Sequence, residues 1–195
     1  MNRRYFLGSI LSAAAAPAAA FPFFTSRRPP AAVQRPRFLS FHHLHTDEAV
    51  TLAYRVGDAY QPAALQRLNY LFRDHRTGEV RTIDPRLFDL LYDLKVYLGD
   101  PDARFEIISA YRSPATNAQL RKTSSGVARN SLHLRGQAVD VRLPDLSTRR
   151  LCEAALELGR GGVGYYRRSD FVHLDTGEVR SWGIQALTKR AEADV

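Results

Sequence analysis

Two short segments, residues 137–143 (QAVDVRL) and 171–175 (FVHLD), constrain the fold of this chain most strongly. In each segment one face is aliphatic, while Asp140 or His173 stands at the centre of the other face. Because successive side chains of a strand point to opposite faces, the pattern predicts two strands of a sheet that is apolar on one side only. If these strands pair, Asp140 and His173 point into the same space.

His133 lies in the segment that leads into the first strand and can fold over to join Asp140 and His173. Two imidazoles and one carboxylate, with a fourth position left for water, are the ligand set of a catalytic zinc site. Zinc in such a site lowers the pKa of its water to about 7, and a nearby carboxylate, Asp170 or Asp175, would carry the proton. The alternative is that each histidine is an ordinary half-buried side chain, and the spacing alone does not decide between the two.

The rest of the chain predicts helices and strands that complete one small α+β domain over residues 38–185, with helices packed on a mostly antiparallel sheet. Asp84 and Ser113 are predicted N-caps, because each precedes a proline that suits the first position of a helix. The predicted elements are a β-hairpin over residues 38–55, helices over 62–75, 85–98, from 114 onward and over 147–159, and a strand over 104–110.

Several other motifs predict structure rather than chemistry. His42, His43 and His45 form a rival cluster, but no carboxylate shares their register, so they are interpreted as a sheet edge or surface. Residues 159–166 (GRGGVGYY) lack the Gly-Lys-Ser/Thr of a phosphate loop and predict a tight turn into a strand. Cys152 is the only cysteine, which excludes a disulfide within the chain and a thiolate zinc cluster.

Residues 1–20 have the layout of an export signal: the paired Arg3 and Arg4, an apolar stretch, and an A-x-A site at residues 18–20. The paired arginines are typical of a twin-arginine signal, and an uncleaved N-terminal anchor is the alternative. Residues 21–37 are rich in proline and arginine and predict an extended linker, and residues 186–195 predict a polar tail. The folded domain is therefore expected outside the cytoplasm, in the periplasm, with no stable membrane insertion once the signal is removed.

The net charge of +8 and the pI near 10 predict an anionic partner. Nucleic acid, a membrane face and a polyanionic polymer all satisfy that condition. Export disfavours nucleic acid and favours the carboxylates and phosphates of a cell wall. Nothing in the sequence predicts the oligomeric state.

The motif S-x-H-x-x-G-x-A-x-D at residues 131–140, followed by GGVGYY at 161–166 and FVHLDTG at 171–177, resembles a known family of enzymes. It is similar to the zinc peptidases of the D-Ala-D-Ala metallopeptidase superfamily, which includes the lysostaphin-type enzymes. Within that superfamily the chain most resembles the exported murein endopeptidase K-like branch, whose enzymes open the peptide cross-links of peptidoglycan.

The resemblance implies that His133, Asp140 and His173 are the ligands of one Zn²⁺ per chain. It also implies that Arg112, in the segment SAYRS, stands at the mouth of the active site and holds a carbonyl oxygen or a peptide carboxylate. A surface arginine at the end of a strand is the alternative for Arg112. Ser131, two residues before the first ligand, is expected to contact the substrate backbone.

Three further residues complete the expected site. Asn117 is a weaker candidate for substrate contact. Asp170 occupies the position, three residues before the last ligand, at which other branches of the superfamily place the general base, and it is favoured over Asp175 for that role. Asp175 shares a face with His173, so it is expected either to serve as the base or to orient an imidazole.

The resemblance predicts a zinc-dependent murein endopeptidase that hydrolyses peptide cross-links, either between D-alanine and diaminopimelate or between two diaminopimelates. A carboxypeptidase that trims stem peptides and a non-catalytic module that binds the cell wall are the alternatives. An exported nucleic-acid-binding protein is a further hypothesis that depends on charge alone.

Overall fold

The computed structural model describes residues 35–124 and 126–188. The predicted export signal and most of the predicted linker and polar tail lie outside these residues. None of the described helices is both long enough and apolar enough to cross a membrane.

The described residues form eight strands, five α-helices and one 3₁₀ helix. In chain order they are β1 (Pro36–His43), β2 (Glu48–Val56), β3 (Ala59–Tyr60), α1 (Pro62–Leu71), α2 (Pro85–Tyr97), β4 (Arg104–Ser109), α3 (Pro114–Thr123), the 3₁₀ helix (Leu132–Arg135), β5 (Ala138–Arg142), α4 (Thr148–Glu157), β6 (Gly162–Tyr166), β7 (Phe171–Asp175), β8 (Arg180–Trp182) and α5 (Gln185–Thr188).

All eight strands belong to one sheet with the order β3-β2-β1-β4-β5-β7-β6-β8. The pairs β1/β4 and β6/β8 are parallel, and the other neighbours are antiparallel. The prediction of an α+β fold with a mostly antiparallel sheet is therefore confirmed. The strands β3 and β8 were not predicted, because two or three residues are too short for an alternation to be recognised.

The predicted helix starts are confirmed, because the side chains of Asp84 and Ser113 each accept a hydrogen bond from a backbone N–H of the first turn. Most predicted bounds differ from the structure by one or two residues, and two differences have a structural cause. α1 ends at Leu71 instead of continuing to His75, because Asp74 accepts a hydrogen bond from the N–H of Arg76 and turns the chain. β1 begins two residues earlier than predicted, at Pro36, where it pairs with the end of β2.

The apolar core lies between the sheet and the helices α1, α2 and α4. The aliphatic faces of β5 and β7 supply Val139, Val141, Val172 and Leu174, all fully buried. Asp140 and His173 therefore belong to the opposite face of the sheet, as the alternation predicts. Apolar packing on one face holds a polar row rigidly on the other.

Candidate active site

A row of register partners crosses the sheet at its polar face. Asp140 of β5 lies opposite His173 of β7, His173 lies opposite Gly164 of β6, and Gly164 is paired with Trp182 of β8. Asp140 and His173 are both buried, at 8% and 7% exposure. The two strands therefore pair, which was the condition for Asp140 and His173 to share a space.

His133 reaches this row from the 3₁₀ helix that precedes β5. Its backbone carbonyl accepts a hydrogen bond from the N–H of Arg112, and its Nδ1 donates to the carbonyl of Ala110 at 2.5 Å. Gly136 then reverses the chain with a φ of 67°, where a Cβ would lie 2.5 Å from the carbonyl oxygen of Thr82. A glycine is needed at this position to bring His133 back over the strand it precedes.

The three predicted ligands form a tight triangle. His173 Nδ1 lies 2.9 Å from Asp140 Oδ1 and 3.1 Å from His133 Nε2, and His133 Nε2 lies 3.2 Å from Asp140 Oδ1. Among the described residues, this is the group of histidine and acidic side chains whose ligand atoms converge closely enough to hold a metal ion.

The hydrogen bonds that the two imidazoles make outside the triangle determine which ring nitrogen carries the proton and which turns a lone pair inward. The carbonyl of Ala110 can only accept, so His133 carries its proton on Nδ1 and turns the lone pair of Nε2 inward. His173 Nε2 donates to Asp175 Oδ2 at 3.0 Å, which leaves the lone pair of Nδ1 facing inward. Two nitrogen lone pairs and a carboxylate oxygen thus converge. Only a cation or a shared proton relieves their electrostatic repulsion.

The pKa shifts at this triangle result from burial and from the contacts that its three residues make. Burial lowers the pKa of His133 and favours its neutral form. Burial opposes ionisation of Asp140, but the adjacent charges and hydrogen bonds of His133 and His173 lower its pKa well below the usual range. Burial alone would lower the pKa of His173, and its contacts with Asp140 and Asp175 outweigh that effect and raise it. Positive charge is therefore favoured at the centre of the triangle.

Asp175 lies at the end of β7, fully buried, and contacts His173 from the side opposite the triangle. Its two oxygens also accept hydrogen bonds from the guanidinium of Arg180 and from the N–H groups of Gly162 and Gly177. Burial alone would raise the pKa of this carboxyl. The hydrogen bonds to His173 and Arg180 outweigh that effect, so the pKa lies well below its usual range. Asp175 is thus an ionised group that fixes the orientation of His173.

The triangle opens into a cleft of about 590 Å³. Its cationic lining includes Arg76, Arg112 and Arg180, and Tyr166, Phe171 and Trp182 form an aromatic wall. Among the described residues, Asp140 is the only acidic side chain that lines this cleft.

Arg112 and Ser131, both predicted at the site, line the cleft side by side. The guanidinium of Arg112 donates to Ser131 Oγ at 3.2 Å, while its buried Nε has no hydrogen-bond partner among the described residues. Burial lowers the pKa of Arg112, and the charge of Asp140 partly opposes that effect. An unpaired donor buried beside the triangle is suited to an oxygen of a bound molecule.

Asn117 and Asp170 lie outside the lining of the cleft. The amide of Asn117, on α3, donates to the carbonyl of Ala128 and thereby supports the loop that forms one wall. Asp170 stands in the turn between β6 and β7, where its carboxylate accepts hydrogen bonds from Thr148 at 2.9 Å and from Arg142 at 3.3 Å. It lines a separate surface pocket with Glu106 and Arg142.

The rival histidines do not form a sheet edge. His43 is buried, and its ring lies 5.6 Å from that of His75, which stacks on His45 at 4.1 Å. Burial lowers the pKa values of His43 and His75 to about 4, so both are neutral at physiological pH. His42 instead bonds the carboxylate of Asp47 at 2.7 Å.

Trp182 is a site residue that sequence reasoning missed. Its ring centroid lies 5.1 Å from that of His173, and its Nε1 donates to the hydroxyl of Tyr166 at 3.1 Å. A Cβ on Gly164 would lie 2.4 to 2.6 Å from atoms of the indole. The absence of a side chain at Gly164 thus lets the ring pack over the strand beside His173, and that glycine was the available signal.

The variant Gly164→Ala is expected to push the indole away from His173. Trp182 is the only tryptophan of the chain, so its emission reports this displacement directly. We expect a changed emission maximum and weaker quenching when His173 is protonated by acid. Gly126→Ala is the matched control, because its nearest neighbour would be 3.8 Å away. Identical spectra for Gly164→Ala and the wild type would contradict the packing described.

Comparison with known proteins identifies the family. The sequence model of peptidoglycan L,D-endopeptidase MepK matches residues 31–182. Peptidoglycan L,D-endopeptidase MepK of Escherichia coli K12 is 42% identical over 184 residues, which cover 93% of this chain and 97% of that protein. The probable peptidoglycan L,D-endopeptidase MepK of Haemophilus influenzae is 42% identical over 148 residues, which cover 76% and 80%. The resemblance seen in the motifs is confirmed: the chain belongs to the peptidoglycan L,D-endopeptidase MepK family of the D-Ala-D-Ala metallopeptidase superfamily.

Proposed function

We propose that this protein is an exported, zinc-dependent murein endopeptidase that hydrolyses L,D-amide bonds in the peptide cross-links of peptidoglycan. The observation that carries the proposal is the convergence of His133, Asp140 and His173 at a cationic cleft, in a chain 42% identical to peptidoglycan L,D-endopeptidases. The bond between two diaminopimelates is an L,D bond, so this cross-link is the proposed substrate.

The donor set fits zinc. A tetrahedral ion with bonds of about 2.0–2.1 Å to nitrogen or oxygen needs ligand atoms roughly 3.3 Å apart. The three inward atoms are 2.9 to 3.2 Å apart, and both imidazoles turn a lone pair toward one another. We propose His133 Nε2, His173 Nδ1 and an oxygen of Asp140 as the ligands. Zinc held there supplies a Lewis acid that acidifies a water and polarises the amide carbonyl.

The chain's own residues position the substrate and stabilise developing charge. Arg112 presents its unpaired Nε toward the carbonyl oxygen of the scissile amide, where negative charge grows during attack. Ser131, already bonded to Arg112, is placed to contact the substrate backbone. The aromatic residues that line the cleft lower the local polarity and so strengthen these interactions.

Asp175 and Asp170 receive different roles in this proposal. Asp175 is a positioning residue, since it touches His173 and not the cleft. The carboxylate of Asp170 is engaged by Thr148 and Arg142, so its use as a base requires the turn between β6 and β7 to move. Without that movement, the proposed ligand Asp140 is the only carboxylate of the described residues that lines the cleft.

Export is proposed from the first twenty residues. The paired Arg3 and Arg4 ahead of an apolar stretch favour a twin-arginine signal, and a peptidoglycan substrate requires a periplasmic location. The net charge of +8 suits a polymer that carries many free carboxylates.

Digestion of purified sacculi tests the proposed function. We expect the zinc-loaded protein to convert diaminopimelate-linked dimers into monomers, as measured by chromatography of the released muropeptides. Asp140→Asn is expected to lower this rate by about a thousandfold or more, because it removes a charged ligand. His42→Ala, a histidine outside the cleft, is the control and should retain the wild-type rate.

Three outcomes would contradict the proposal and favour an alternative. Loss of terminal D-alanine alone, with dimers intact, would indicate a carboxypeptidase. Retention on sacculi without any product would indicate a wall-binding module. Strong retention on DNA at physiological salt without wall activity would indicate a nucleic-acid-binding protein.

A matched pair of variants separates the two aspartates. We expect Asp175→Asn to lower kcat/KM and zinc affinity together by about 10- to 100-fold, because the isosteric amide no longer fixes the imidazole with a full charge. Asp170→Asn should stay within about twofold of the wild type, because its side chain is largely exposed and outside the cleft. A loss of about a hundredfold in Asp170→Asn with zinc still bound would assign proton transfer to Asp170 instead.

A further inference from the structure

The cleft carries more positive charge than the proposed chemistry uses. Three guanidinium groups line it, those of Arg76, Arg112 and Arg180, against the single carboxylate of Asp140. Arg180 is neutralised by two hydrogen bonds to Asp175, and Arg112 lies beside Ser131. Arg76 is exposed, and its guanidinium makes no hydrogen bond or ion pair with any described residue.

The backbone of Arg76 is nevertheless held in a defined place. One oxygen of Asp74 accepts a hydrogen bond from the N–H of Arg76, and the other accepts from the N–H of Ser113, both at 2.9 Å. Asp74 is 1% exposed and is held ionised: burial opposes ionisation, but these bonds and those of Thr116 lower its pKa to about 2. One buried carboxylate thus ties the segment of Arg76 to the segment of Arg112.

The charge of Arg76 lowers the pKa values of two neighbours, His75 and Arg112. The pKa of His75 falls to about 4, first through burial and then through the charge of Arg76. The pKa of Arg112 is lowered chiefly by burial, and the charge of Arg76 adds to the effect. Two like charges therefore line the cleft at Arg76 and Arg112, and an anion bound between them would be favoured.

We infer that Arg76 binds a free carboxylate of the peptide cross-link and thereby selects substrates in which that carboxylate is not amidated. This inference depends on the proposed function, because it assigns a specificity residue to the same cleft. Arg112, which lies next to the triangle, remains committed to the scissile carbonyl. A guanidinium holds a carboxylate through charge-assisted, often paired hydrogen bonds, whereas an amide offers it one neutral acceptor.

A diaminopimelate cross-link has several free carboxylates, and the experiment tests two of them. One stands on the carbon that bears the amide nitrogen, and the other belongs to the D-glutamate of the stem. Both have the chemistry that Arg76 recognises. Substrates amidated at one position or the other distinguish them.

The experiment compares three synthetic cross-linked dimers: both carboxylates free, only the first amidated, and only the second amidated. For the zinc-loaded wild type, amidation at one position should lower kcat/KM by about 10- to 100-fold, the worth of a charge-assisted hydrogen bond. In Arg76→Gln the ratio between the free and that amidated substrate should fall close to one. Arg67→Gln, an exposed arginine on α1, should keep the wild-type ratio.

The ratio of kcat/KM between the free and the amidated substrate distinguishes a loss of recognition from a structural defect, because a structural defect would slow all substrates equally. A wild-type ratio near one at both positions would overturn the inference. So would an unchanged ratio in Arg76→Gln. Failure of the wild type to cleave any of the three dimers would contradict the proposed function itself, and the inference with it.

Discussion

The candidate site depends on two hydrogen bonds that point away from it. The carbonyl of Ala110 fixes the proton of His133 on Nδ1, and Asp175 fixes the proton of His173 on Nε2. Each imidazole must then turn its lone pair toward Asp140. At a buried site this arrangement is unfavourable without a positive charge, which is the basis for the proposed metal site.

The sheet supplies the rigidity that this arrangement needs. Apolar packing against α1, α2 and α4 holds one face, and the ladder places Asp140, His173, Gly164 and Trp182 in one row on the other. Gly164 leaves space for the indole, which packs beside His173 where a larger residue would exclude it. Close packing on both sides restrains the imidazole to one orientation.

Strand alternation in QAVDVRL and FVHLD was sufficient to predict that Asp140 and His173 share a space if the two strands pair, because a period of two assigns every side chain to a face. It could not predict that Asp170 is engaged by Thr148, since that contact joins a turn to a helix distant in sequence. The place of Arg76 in the cleft was missed as well. It depends on Asp74 ending α1 early, and one aspartate in a helical pattern gives little warning of this.

X-ray diffraction from crystals of the zinc-loaded protein, collected on both sides of the zinc absorption edge, tests the central claim most directly. The account predicts one anomalous peak per chain, bonded to His133 Nε2, His173 Nδ1 and an oxygen of Asp140 at about 2.0–2.2 Å. The Nδ1 of His133 should remain on the carbonyl of Ala110, and the Nε2 of His173 should remain on Asp175. Zinc bound instead among His43, His45 and His75, or an imidazole that has turned its other nitrogen to the metal, would contradict it.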